Sequence, residues 1–133
     1  MILLAAILAS SLLNPQVTQA TIASTICVPG WTKSIRPSTS VTNRIKRALL
    51  ARAGVPASSA PLYELDHRIP LELGGSTLNP GNLWLQPWSG PRGARAKDVE
   101  ETRLKRAVCS GAVALAPARE CMHRDWTTCR GLK

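Results

Sequence analysis

Apolar residues recur along this chain at two spacings, and the change of spacing marks its elements. Val41, Ile45, Ala48 and Leu49 repeat as one face of a helix. Arg44, Lys46, Arg47 and Arg52 fall on its other faces, as a solvated surface or as a phosphate-contacting flank. Ser38, Thr39 and Ser40 supply capping hydroxyls in front, and Gly54 with Pro56 stops the helix behind. From Tyr63 the period shortens to two. Tyr63 and Leu65 alternate with Glu64 and Asp66, which predicts a short half-buried strand ending at Asp66-His67. Gly74-Gly75 breaks the chain, and Asn79-Pro80-Gly81 closes a polar turn. A second strand over residues 82–86 follows, with Leu83 and Leu85 alternating with Trp84 and Gln86.

Past a Gly/Pro-rich connection, a helix is predicted over residues 95–108. Lys97, Glu101, Leu104 and Val108 lie on one stripe of it, apolar at its C-terminal end. That stripe should face the protein body and carry two charges inward with it. An ordinary surface pair between Lys97 and Glu101 fits the same spacing, and Ala96, Arg103 and Ala107 form a competing stripe. Gly111 ends this region. Pro117 suits the first turn of a last helix, with Ala118, Met122 and Trp126 as its packing stripe and His123 beside them in a structural role. Residues 21–39 read as a polar, turn-rich entry anchored by Cys27 and Trp31. The class expected is α+β: one small domain with a β-β-α core and a flanking helix on each side in sequence.

Composition changes this picture in three ways. The apolar run over residues 2–13 is too short to span a bilayer and fits the core of a signal peptide, cut short by Asn14-Pro15. Cleavage is expected after Ala20, giving a leader of residues 1–20 and a mature domain of residues 21–133 that is secreted or periplasmic, with no stable membrane association. All the charge lies beyond that point: 17 Lys+Arg against 8 Asp+Glu, a net charge of +9. Such a field favours a polyanionic partner, nucleic acid first. Finally, four cysteines in an exported chain of this size suggest two disulfides. Three pairings are open. The favoured one is Cys27–Cys109, which leaves Cys121–Cys129. Eight helical residues rise about 12 Å, and bridged Cα atoms lie within about 7 Å, so the second pair requires the last helix to end before Cys129. The spacing of cysteines and histidines argues against a zinc finger.

The chemistry concentrates between residues 63 and 86. Asp66 sets a hard anionic oxygen beside the imidazole of His67, a pairing of cation ligand and proton acceptor. Phosphodiester hydrolysis needs both. The order Asp66-His67, Ile69-Pro70-Leu71, Gly74-Gly75, Asn82-Leu83, then a helix carrying Ala96-Lys97-Asp98, resembles the HNH endonucleases, or ββα-metal nucleases. A Cys-Val-Pro-Gly-Trp-Thr opening (Cys27 to Thr32) and a Val-Cys-Ser-Gly close (Val108 to Gly111) resemble a small secreted bacterial subgroup of them. The resemblance implies a ββα-metal core with His67 as general base and Asp66 as ligand to Mg²⁺ or Mn²⁺, with Zn²⁺ as the alternative. It also implies that Asn82 holds the loop and orients His67.

One position departs from that pattern. Where many HNH proteins place a second ligand, His or Asn, this chain has only Gly93, Ala94 or Arg95. Asp98 or Glu101 could supply an oxygen instead, or Arg95 and Lys97 could clamp phosphate, with Arg68 as a further phosphate contact. The expected activity is metal-assisted hydrolysis of nucleic acid, DNA ahead of RNA. The alternative is a catalytically weak module that binds nucleic acid or another polyanion without cutting it. No spacing for a base-reading motif is present, so binding should be backbone-driven and salt-sensitive.

Overall fold

The computed structural model describes residues 11–132. Helices α1 (Trp31–Ile35) and α2 (Thr39–Arg52) precede two strands, β1 (Tyr63–His67) and β2 (Leu83–Pro87). Helices α3 (Ala94–Cys109) and α4 (Leu115–Asp125) follow. The strands pair antiparallel, setting Glu64 against Gln86 and Asp66 against Trp84. Because side chains alternate across a strand, these four share one face of the sheet. The fold is α+β, and a helix follows the strand pair directly in sequence.

The turn-rich entry holds more structure than its composition suggests. Gly30 takes a left-handed conformation (φ 84°) and starts α1, whose Thr32 is buried and whose Trp31 packs against the core. Ser38 stands at the N-cap of α2 as expected, yet its hydroxyl meets that of Ser40 at 3.2 Å rather than a backbone N–H. Helix α2 lies against both strands.

The core forms where the apolar end of the α3 stripe meets the last helix. Leu104 and Val108 pack with Leu115, Ala118 and Met122 of α4, and with Val17, Ile26, Trp126 and Cys129. The stripe through Lys97 and Val108 therefore faces inward, and the competing stripe is only partly covered. Helix α4 stops at Asp125, and a tight turn over Trp126–Gly131 brings the chain back. That turn allows the Cys121–Cys129 bridge, with its Cα atoms 5.7 Å apart. The other bridge joins Cys27 to Cys109, also at 5.7 Å. Two disulfides suit an oxidising compartment. Among the described residues, no helix is long and apolar enough to cross a membrane.

The first ten residues of the expected leader lie outside the described residues. Its remaining part is packed into the fold. Leu13 bridges to Gly75, and Asn14 N–H donates to the Gly74 carbonyl at 2.8 Å. Val17 is 2 % exposed, a burial that stabilises by about 1.5–3 kcal/mol. Arg119 donates to the carbonyls of both Val17 and Leu73 at 2.7 Å, and the Gln19 side chain accepts from Leu115 N–H at 2.8 Å. The cleavage point expected after Ala20 comes directly behind this packed segment.

Candidate functional site

The connection over residues 68–82 carries the chain from β1 to β2, and Asn82 fixes it. Its side chain is fully buried. Oδ1 accepts from Ile69 N–H at 2.8 Å, while Nδ2 donates to the carbonyls of Ile69 and Ser76 at 3.0 Å. One side chain thus stands in for the missing strand partner at both ends of the loop. The two glycines serve different ends. Gly74 takes φ +82°, a left-handed conformation that favours glycine, whereas a Cβ on Gly75 would fall 1.9 Å from the Ile69 carbonyl oxygen. The loop closes tightly only because Gly75 has no side chain.

Lys97 forms the second fixed point. It is 1 % exposed. Its ammonium donates to Asp66 Oδ2 at 2.7 Å, to the His67 carbonyl at 2.8 Å and to Glu101 Oε1 at 2.7 Å. An ammonium has three hydrogens, and all three are engaged. Burial alone would lower its pKa, but Glu101 and Asp66 outweigh that and hold it above the usual lysine value. In this structure, where a phosphate clamp is expected of Lys97, the side chain ties α3 to the end of β1. Trp84 Nε1 adds a second hydrogen bond to Asp66 Oδ2 at 3.1 Å.

These constraints set His67 at the edge of a cavity of about 250 Å³. His67 Nε2 lies 2.9 Å from the Thr77 carbonyl. A carbonyl only accepts, so Nε2 carries the proton and Nδ1 keeps its lone pair. Among the described residues Nδ1 has no hydrogen-bond partner, and it is not sealed from solvent. Burial, ahead of any neighbouring charge, pushes the imidazole pKa below 6.5. The ring is thus neutral at neutral pH, with one nitrogen able to take a proton.

Asp66, Glu64, Glu72, Asp98 and Glu101 line the same cavity. Burial first, then the Asp66 and Asp98 charges, raises Glu64 to about 7. Burial raises Glu101 to about 7, with Lys97 pulling the other way. Asp98 is also raised, by burial and by Asp66. Glu64 Oε2 and Gln86 Oε1 are both sealed from water without a donor, and the strand register sets these residues side by side.

This donor set fits Mg²⁺ or Mn²⁺ in chemical type. Hard carboxylate oxygens crowd one cavity, and their pKa values are raised by burial first and by neighbouring carboxylates second. No group of three His, Cys, Asp or Glu suited to a metal occurs among the described residues. A magnesium site nevertheless needs only one or two carboxylates, with water and substrate phosphate completing the shell. Asp66 and Asp98 are the residues that would hold it.

The remaining expected contacts lie elsewhere. The Arg68 guanidinium stacks over Trp84, 4.5 Å from the ring centroid, on a separate surface with Arg92, His123 and Arg124. Arg95 stands over Trp88 at 5.8 Å, beside Leu62 and Tyr63. Neither lines the His67 cavity. Of Gly93, Ala94 and Arg95, the three candidates for the place of the missing second ligand, Gly93 and Ala94 are buried and carry no side-chain donor, and Arg95 stands at Trp88. Sequence reasoning missed Glu64 as a site residue, although its two-residue spacing from Asp66 on a strand put both on one face. It also missed Arg36, which no local pattern connects to the site. No protein-family model, no curated protein and no solved structure matches this chain.

Proposed function

We propose that this protein hydrolyses phosphodiester bonds of nucleic acid, with His67 as the general base. The observation that carries the reading is the state of the His67 ring. Nε2–H is held by the Thr77 carbonyl, Nδ1 has no hydrogen-bond partner among the described residues, and His67 lines a polar cavity. Nδ1 accepts a proton from water as the water oxygen attacks phosphorus. The phosphorus–oxygen bond to the leaving group breaks, and that oxygen is protonated from solvent. Lys97 and Trp84 hold the Asp66 carboxylate in place. Asn82 keeps the loop behind His67 from moving. A divalent cation held by Asp66 and Asp98 would stabilise charge developing on the phosphoryl and leaving oxygens. The β-β-α order and the sequence resemblance to HNH endonucleases support the same reading. The net charge of +9 suits a polyanionic substrate.

The direct test incubates the purified, disulfide-bonded protein with plasmid DNA in Mg²⁺ or Mn²⁺, beside EDTA and His67→Ala controls. Metal-dependent nicking is expected, reduced about 10²–10⁴-fold in His67→Ala. Cutting that persists in His67→Ala would overturn the assignment of the base. A second reading, a module that binds nucleic acid without cutting, draws on the lack of a His or Asn at Gly93, Ala94 and Arg95, where a ligand is expected. Salt-sensitive binding with no turnover in either metal would select it.

A further inference from the structure

Five carboxylates surround the cavity that His67 faces, and a phosphodiester is itself an anion. Something must draw it in. Lys97 has no free hydrogen, and Arg68 and Arg95 line other surfaces. Among the described residues, Arg36 is the only lysine or arginine that lines this cavity.

Arg36 combines a fixed backbone with an unused side chain. It caps the C-terminal end of α1, with its N–H donating to the Lys33 carbonyl at 3.4 Å, and Pro37 restricts the chain behind it. Upstream, the buried Thr32 and the Cys27–Cys109 bridge moor the segment to the end of α3. The side chain is exposed and makes no hydrogen bond or ion pair among the described residues, although Glu64, Glu72, Asp66 and Asp98 share its cavity. Its charge is felt there as a minor contribution: burial raises Glu64 and Asp98 with Arg36 pulling the other way, and burial lowers His67 with Arg36 adding to it. A guanidinium serving only to neutralise these acids would be expected to pair with one of them. Arg36 keeps its five N–H donors open, in the fork geometry that matches two phosphate oxygens.

We propose that Arg36, delivered by the disulfide-moored N-terminal arm, grips the non-bridging oxygens of the phosphate attacked by the water that His67 deprotonates. The proposal rests on the nuclease reading and names its substrate-holding residue. The site is then assembled from three parts of the chain: Arg36 from the arm, His67 and Asp66 from β1, and Asp98 from α3.

The test compares wild type, Arg36→Ala, Arg36→Lys and the control Arg106→Ala, an exposed arginine that does not line the cavity. Cleavage of a fluorescein-labelled DNA duplex in Mg²⁺ gives kcat and KM. Anisotropy with the same duplex in Ca²⁺ gives Kd across a salt series. In Arg36→Ala, kcat/KM should fall about 10²–10³-fold, as on loss of a donor to a developing oxyanion. The slope of log Kd against log salt should drop by about one phosphate contact. Lysine should restore charge but not the bidentate grip, leaving kcat/KM between the two. Arg106→Ala should match wild type. If wild type cuts and Arg36→Ala cuts within twofold of it with an unchanged slope, the Arg36 assignment falls and the nuclease reading stands. If wild type binds without cutting, the nuclease reading falls, and an unchanged slope in Arg36→Ala then removes the phosphate contact as well. If wild type neither cuts nor binds, both are overturned. Circular dichroism and thermal melting of each variant confirm that a loss is not unfolding.

Discussion

Asp66 Oδ2, Lys97 and Glu101 are closed on one another, and Asn82 on the loop backbone, while Arg36, Asp98 and His67 Nδ1 hold groups that nothing among the described residues engages. In the first set every strong donor has its acceptor at 2.7–3.0 Å. The second set makes no hydrogen bond at those groups among the described residues, and its side chains face a polar space. The contrast separates two uses of charge. Saturated charge fixes the backbone at the end of β1 and the start of the loop. Unsaturated charge is left for a substrate. Asp66 joins the two sets, since Oδ2 is engaged twice and Oδ1 is left over.

The contrast can be broken most directly at Lys97. Lys97→Met should lower stability by about 3–5 kcal/mol, because it leaves two carboxylates and a carbonyl facing each other in a nearly dry site. Asp98→Asn, on the open side, should change stability by no more than about 0.5 kcal/mol while weakening the response of cleavage to Mg²⁺. Urea unfolding of both variants measures the difference. Equal losses would mean that the two sets are not distinct.

The mooring of the arm comes next. Removing Cys27–Cys109 by paired serine substitution should cost about 2–4 kcal/mol, and removing Cys121–Cys129 less, because the first closes a span of 82 residues and the second a span of 8. Only the first carries Arg36, so only it should reduce cleavage under conditions where both variants are still folded. Thermal melts paired with cleavage assays below the transition distinguish the two. Equal activity in both variants would detach the arm from the site.

The smallest effect is a drift with pH. Glu64 and Glu101 have folded-state pKa values raised from 4.5 to about 7. The folded state therefore holds these protons more tightly than the unfolded state between those values. Their contribution to stability is full below about 4.5 and is lost as pH rises through about 7. In EDTA, stability should decline over that window, and Glu64→Gln should flatten the decline. A stability that rises from pH 5 to pH 8 in the wild type, with no flattening in Glu64→Gln, would refute the raised carboxyl.

Much of this was legible locally. Period-two alternation located both strands, and period 3.6 located α2 and α3 but left two competing stripes on α3, of which the structure turns the one through Lys97, Leu104 and Val108 inward. Those readings depend on backbone geometry within a few residues, which the side-chain pattern records directly. The same pattern could not separate a phosphate clamp from a structural ammonium at Lys97, because its partner Asp66 is 31 positions away. Nor could it say that Gly75 is required by a carbonyl pressed against it rather than by its own dihedral angles.

By itself, the order of residues determined the class of the fold, the strand that presents Asp66 and His67, and a charge suited to a polyanion. Only the tertiary structure decided which of the charged groups remain free. Whether a cation is free or consumed depends on acceptors brought to it from distant parts of the chain. Lys97 lost its freedom to β1, Arg68 and Arg95 were drawn onto tryptophans, and Arg36 was carried to His67 by a bridge closing at Cys109. Local periodicity records which way a side chain points, but not what it meets there.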